Sequence, residues 1–157
     1  MEKLKPGDRA PSFELEDQDE RIVKLSDFQG RKLLLYFYPR AETPGCTTQA
    51  CSIKESLHEF SDIGLSAVGI SPDTPRAQKK FDTKYCLGFP LLSDPDHAVA
   101  EEYGAWGQRT MYGTSTMTII RSAFVINEEG GIIETFYDVK PEETVPRVLG
   151  AIIAASK

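Results

Sequence analysis

Three cysteines, Cys46, Cys51 and Cys86, are the strongest nucleophiles in this chain of 157 residues. Cys46 lies in Pro39-Arg40-Ala41-Glu42-Thr43-Pro44-Gly45-Cys46-Thr47-Thr48-Gln49-Ala50-Cys51, just after the apolar run Leu33 to Tyr38 and just before a segment of helical spacing. If Thr43 caps that helix and Pro44 takes its first position, Cys46 falls in the first turn. Unpaired N–H groups and the positive end of the helix dipole favour a thiolate there, and the thiolate is the reactive species. A free cysteine also serves as a small buried apolar residue, but the helix-start position argues for chemistry. For Thr43 the sequence leaves two readings open, a cap alone or a cap whose hydroxyl also reaches a substrate. Arg121 in Ile119-Ile120-Arg121-Ser122-Ala123-Phe124-Val125 reads as an outward-facing strand position or as a charge directed into a site.

The elements that must carry these residues alternate in type. Leu33 to Tyr38 reads as a strand buried on both faces. Thr47 to Phe60 reads as one amphipathic helix through Ala50, Ile53, Leu57 and Phe60, with Gly64 available to end it. Short apolar stretches precede them near Phe13–Leu15 and Ile22–Val23. A strand over Leu65–Ile70, a helix over Pro75–Tyr85, a short strand at Pro90–Leu92 and a helix through Val99 and Tyr103 follow. Ile119–Ile126 and Ile132–Tyr137 flank a Gly-bearing loop and form a hairpin. Pro146 suits the first turn of a last helix. The pattern predicts an α/β fold, a mixed central sheet flanked by helices, in a single domain over residues 1–157. Trp106 and the Met111 to Met117 region read as core or loop packing.

Composition narrows the function. A net charge of −6, from 18 Lys+Arg against 24 Asp+Glu, argues against nucleic acid as a partner. No apolar run approaches the roughly 20 residues that span a bilayer, and the start Met1-Glu2-Lys3 lacks a signal-peptide apolar stretch. The expectation is a soluble, cytoplasmic protein with no membrane partner. An odd, small number of cysteines does not suggest a secreted disulfide scaffold.

Pro39, Thr43 and Cys46 carry the spacing of a proline, a threonine four residues on and a cysteine three further on. In this the chain resembles the peroxiredoxin family, and most closely its peroxiredoxin Q, or bacterioferritin comigratory protein, subgroup. Thr43-Pro44-Gly45-Cys46-Thr47, the second cysteine Cys51, Arg121-Ser122-Ala123-Phe124 and Phe89-Pro90-Leu91-Leu92-Ser93-Asp94 all share in the resemblance. It runs from Gly7-Asp8-Arg9-Ala10-Pro11-Ser12-Phe13 to the final helix. Ser52-Ile53-Lys54 after Cys51 and the additional Cys86 depart from the pattern, and neither touches Pro39, Thr43, Cys46 or Arg121. The resemblance implies a thioredoxin-like fold and reduction of hydrogen peroxide or alkyl hydroperoxides by Cys46, with no cofactor and no metal. The sulfenic acid on Cys46 would condense with a resolving thiol, Cys51 by the resemblance and Cys86 as the alternative. A thioredoxin or similar thiol reductant would restore the dithiol, and the subgroup favours a monomer.

Physical arguments divide that chemistry. For a thiol whose pKa falls three units from about 8.5, the thiolate fraction at pH 7 rises about 30-fold, while nucleophilicity falls by nearly as much. The remaining barrier reduction must come from donors aimed at the peroxide oxygens, a role assigned to Thr43, Arg121 and the helix-start N–H groups. Pro39 would shield the site and shape its loop. Cys46 and Cys51 in one intact helix stand roughly 8 to 9 Å apart at Cα, beyond the roughly 7 Å disulfide limit, so joining them requires the first turns to unwind. The rival readings are weaker. Cys51 and His58 lie about 10.5 Å apart along a helix axis, too far to share a metal ion with Cys46 and His97. A thiol-disulfide oxidoreductase would carry a Cys-x-x-Cys pair, which is missing. A non-catalytic binding module on the same scaffold would not need Cys46, Thr43 and Arg121 together.

Overall fold

The computed structural model describes residues 3–155; Met1 and Glu2 of the charged start, and the last two residues of the expected 1–157 unit, lie outside the described residues. The run Leu33 to Tyr38 is buried throughout, at 1% exposure or less, and forms β3 (Lys32–Phe37). The other strands are β1 (Glu14–Glu16), β2 (Ile22–Lys24), β4 (Leu65–Ser71), β5 (Leu91–Ser93), β6 (Trp106–Met111), β7 (Thr114–Ile119), β8 (Ser122–Ile126) and β9 (Ile132–Tyr137). Helices are α1 (Pro44–Glu55), α2 (Leu57–Asp62), α3 (Pro75–Tyr85), α4 (Ala98–Glu102) and α5 (Thr144–Ala155). The main sheet runs β2-β1-β5-β4-β3-β8-β9. Strands β3, β4 and β5 are parallel, and β8 is antiparallel to β3 and β9.

Strand alternation sends Leu34 and Tyr36 into a layer with Cys46, Ala50 and Ile53 of α1, Phe81 of α3 and Val148 of α5. Leu33, Leu35 and Phe37 face the opposite layer with Phe13, Val99, Tyr103 and Phe124. The sheet is thus mixed and covered on both faces, as expected. The β8–β9 hairpin is also present. Its turn is fixed by Asn127 Oδ1, which accepts the Glu129 and Gly131 N–H groups at 2.9 and 2.8 Å, and by Gly130 at φ +88°.

Three local expectations are corrected. The helix expected over Thr47–Phe60 divides at Ser56, whose N–H turns back to the Ile53 carbonyl at 3.0 Å in a tighter turn; the bend lets Ile53 and Phe60 both bury fully. The run Ile119–Ile126 is two strands rather than one. Ile120 N–H donates to the Ala105 carbonyl and the Arg121 carbonyl accepts from Val139, at 2.7 and 3.0 Å, so Arg121 sits in the break and is half-buried, not on an outward strand face. The Met111 to Met117 region is neither core nor loop but the end of a separate two-stranded ribbon, β6–β7. Tyr112 and Gly113 both adopt positive φ, +53° and +78°, the backbone of a two-residue hairpin turn, and Tyr112 and Met117 are exposed.

Candidate active site around Cys46

The carboxyl ends of β3 and β4 meet the start of β8 at one edge of the main sheet. Phe37 pairs with Ser122, so the next step outward sets Tyr38 opposite Arg121. Pro39, half-buried, opens the loop that leads to α1. Thr43 occupies the N-cap position with extended backbone, Pro44 is the first helical residue, and Cys46 is the third, 1% exposed. The first intrahelical bond runs from Thr47 N–H to the Thr43 carbonyl at 2.8 Å. The N–H groups of Gly45 and Cys46 therefore precede the helical ladder and remain for a ligand.

The hydroxyl of Thr43 does not cap the helix. It donates to the Arg40 carbonyl at 2.7 Å, closing the turn just before the helix. Its lone pairs, rather than its proton, are left to face a substrate.

Arg121 reaches α1 through two residues that sequence reasoning missed. Its Nη1 donates to Gln49 Oε1 at 2.8 Å, and Gln49 Nε2 in turn donates to Thr144 Oγ1 at 2.9 Å. The Thr144 hydroxyl passes its own proton to the Lys140 carbonyl at 3.1 Å. Gln49 and Thr144 are fully buried, and buried polar groups persist when paired in this way. Gln49 follows Cys46 by three residues, hence lies on the same helix face. A polar residue among Cys46, Ala50 and Ile53 was the readable signal; Thr144 gave none.

Gly45 supplies the space. A Cβ there would stand 3.0 Å from Arg121 Nη2 and 3.4 Å from Pro141 Cγ, so the guanidinium lies directly on the first turn of α1. Gly45→Ala should displace it while leaving the helix intact, because the backbone here needs no left-handed conformation. Oxidation by hydrogen peroxide, followed by rapid quenching and mass measurement of oxidised Cys46, should slow roughly 10- to 100-fold, with thermal stability unchanged.

Below α1, burial pushes the Tyr36 and Tyr38 phenols upward, so both stay neutral and add no negative charge near the thiol. Cys51 is half-buried on the same unbroken helix, and all three cysteines are free thiols. Cys86 is exposed at the left-handed C-cap of α3, with Sγ 3.8 Å from the Thr83 carbonyl. His97 stacks on Trp106 at 3.7 Å and meets Glu101 at 3.1 Å, so it serves packing, and His58 sits exposed on α2. Among the described residues no three of His, Cys, Asp and Glu gather to hold a metal ion, and no helix is long and apolar enough to cross a membrane. A cavity of about 720 Å³ lies elsewhere, lined by Phe13, Leu25, Phe28 and Ile126, and none of the residues around Cys46 borders it.

Comparison with known proteins agrees with this geometry. Residues 6–135 match the family model described as the AhpC/TSA family. Peroxiredoxin Bcp of Escherichia coli K12 is 46% identical over 140 residues, 89% of this chain and 90% of that protein. A crystal structure of Xylella fastidiosa PrxQ superposes over all of both chains with a TM-score of 0.92 and 28% identity. The bacterioferritin comigratory protein of Xanthomonas campestris, in a structure concerned with its alkyl peroxide reduction activity, is 31% identical with a TM-score of 0.86, covering 92% of each chain. With the thioredoxin-like sheet, this chain belongs to the AhpC/TSA family as a peroxiredoxin of the Q, or bacterioferritin comigratory protein, branch, and so to the thiol peroxidases.

Proposed function

We propose that this protein reduces hydrogen peroxide and alkyl hydroperoxides through Cys46 and is recycled through Cys51 by a thioredoxin-like dithiol. The reading is carried by the first turn of α1, where Cys46 follows a glycine covered by the Arg121 guanidinium that Gln49 holds in place. The thiolate sulfur of Cys46 attacks the terminal oxygen of ROOH, the O–O bond breaks, and RO⁻ leaves and takes up a proton. Charge moves onto that leaving oxygen, and Arg121 with the helix-start N–H groups meets it. Thr43, whose proton is on Arg40, accepts the O–H of the peroxide and sets its angle. This reverses the donor role expected for Thr43. Pro39 shields the site.

The Cys46 sulfenic acid is then attacked by the Cys51 thiol, forming the disulfide and releasing water. A donor dithiol returns two electrons and two protons. The structure described above is the reduced, helical form, and the disulfide requires the first turns of α1 to open. The relative whose structure concerns alkyl peroxide reduction supports the substrate class.

Peroxide removal coupled to NADPH, thioredoxin reductase and thioredoxin tests the cycle. Consumption should require the dithiol and run over many turnovers, and a protein inert to both peroxide classes would refute it. Cys51→Ser should oxidise at the wild-type rate in the first step but recycle at least about tenfold more slowly; normal recycling, with a Cys46–Cys86 link in wild-type protein, would move the resolving role to Cys86.

A further inference from the structure

Tyr38 and Ala41, at the two ends of the turn around Pro39 and Arg40, are held by one polar network that the chemistry above does not use. Ala41 N–H donates to Asp73 Oδ2 at 2.7 Å, and the Ser71 hydroxyl donates to the same oxygen at 2.7 Å. Ser71 Oγ accepts from Gln78 Nε2 at 2.8 Å, while Gln78 also donates to the Leu92 carbonyl at 2.9 Å. The Tyr38 hydroxyl donates to Gln78 Oε1 and closes the chain of bonds. Ser71, Gln78 and Tyr38 are each at most 1% exposed, so the network is anchored in the core between β4, α3 and the end of β3.

The loop itself needs holding. Glu42, between Ala41 and Thr43, is left-handed at φ +63°, a conformation a non-glycine residue keeps only when its surroundings impose it. Its carboxylate faces Lys84 at 3.5 Å and Lys80 at 4.0 Å on α3, exposed pairs that contribute little alone. The short carboxylate-to-amide bond from Asp73 is the stronger restraint.

We propose that Asp73 is a positioning residue of the peroxidatic loop. By fixing Ala41 it sets the Arg40 carbonyl that receives the Thr43 hydroxyl, and so directs the Thr43 lone pairs over the first turn of α1. Release of Ala41 from Asp73 accompanies the unwinding that lets Cys46 reach Cys51. The inference rests on Cys46 being the peroxidatic thiol.

Asp73→Ala and Asp73→Asn separate positioning from charge, because the amide oxygen of asparagine can still accept Ala41 N–H. In stopped-flow oxidation by hydrogen peroxide, Asp73→Ala should be slower by about 10- to 100-fold, and Asp73→Asn should remain within about threefold of wild type. An Asp73→Ala protein at the wild-type rate, or Asp73→Asn falling as far as Asp73→Ala, would overturn the proposal. Amide exchange on the wild-type protein stands whether or not the variants fold. The Ala41 N–H should be protected in the reduced form and lose protection on oxidation, and an unprotected Ala41 in the reduced form would equally overturn it. A wild-type protein that fails to react with peroxide would instead refute the peroxidase reading.

Discussion

Cys46→Ser should consume neither hydrogen peroxide nor alkyl hydroperoxides in the coupled assay. The remaining thiols lack the surroundings that make the reaction fast. Cys51 lies in the middle of α1, where backbone N–H groups are engaged in the helical ladder. Cys86 sits at the opposite kind of helix end, the C-cap of α3, where its sulfur meets the Thr83 carbonyl at 3.8 Å and no N–H groups point outward to a peroxide oxygen. A serine hydroxyl fits the Cys46 site with little change in volume, so circular dichroism should match wild type. Turnover above about 1% of wild type would remove Cys46 from the nucleophile's role.

Arg121→Met should slow the peroxide step by about 100- to 1000-fold, the cost of removing one donor aimed at developing charge. Methionine preserves most of the packing while removing the guanidinium that bonds Gln49 and covers Gly45. A change in thiolate fraction alone cannot produce this loss, because nucleophilicity and ionisation offset each other. Both proteins are compared at a pH where the ultraviolet absorbance of the thiolate has reached its plateau. Equal rate constants there would remove Arg121 from transition-state stabilisation.

The fold was readable where burial follows local pattern. Leu33 to Tyr38 declared a central strand because no polar residue interrupts it, and Thr43-Pro44 marked the start of α1 to the residue. The failures share a cause. Ile119 to Ile126 is apolar on both sides of Arg121-Ser122 and reads as one strand, yet it divides at Arg121 because Ala105 and Val139, distant in sequence, claim its backbone groups. The hairpin of Tyr112 and Gly113 carries residues with no consistent alternation, so periodicity did not reveal it. At the site, spacing picked out Pro39, Thr43 and Cys46 and the family resemblance added Arg121, but neither revealed what holds them. Gln49, Thr144 and Asp73 act through partners 95, 95 and 32 residues away, and such pairings leave no trace in a local window. The orientation of the Thr43 hydroxyl was likewise beyond the sequence, since cap and turn donors use the same residue type.

The most direct test of Cys46 as the first atom oxidised is a trapping experiment on Cys51→Ser. Reduced protein is treated with one equivalent of hydrogen peroxide in the presence of a cyclic diketone that captures sulfenic acids, and the adduct is mapped by peptide mass. The expected result is one adduct, on Cys46, while wild-type protein treated in parallel yields a peptide joining Cys46 to Cys51 with a reversible loss of helical signal. An adduct on Cys86, or none on any cysteine, would contradict the assignment.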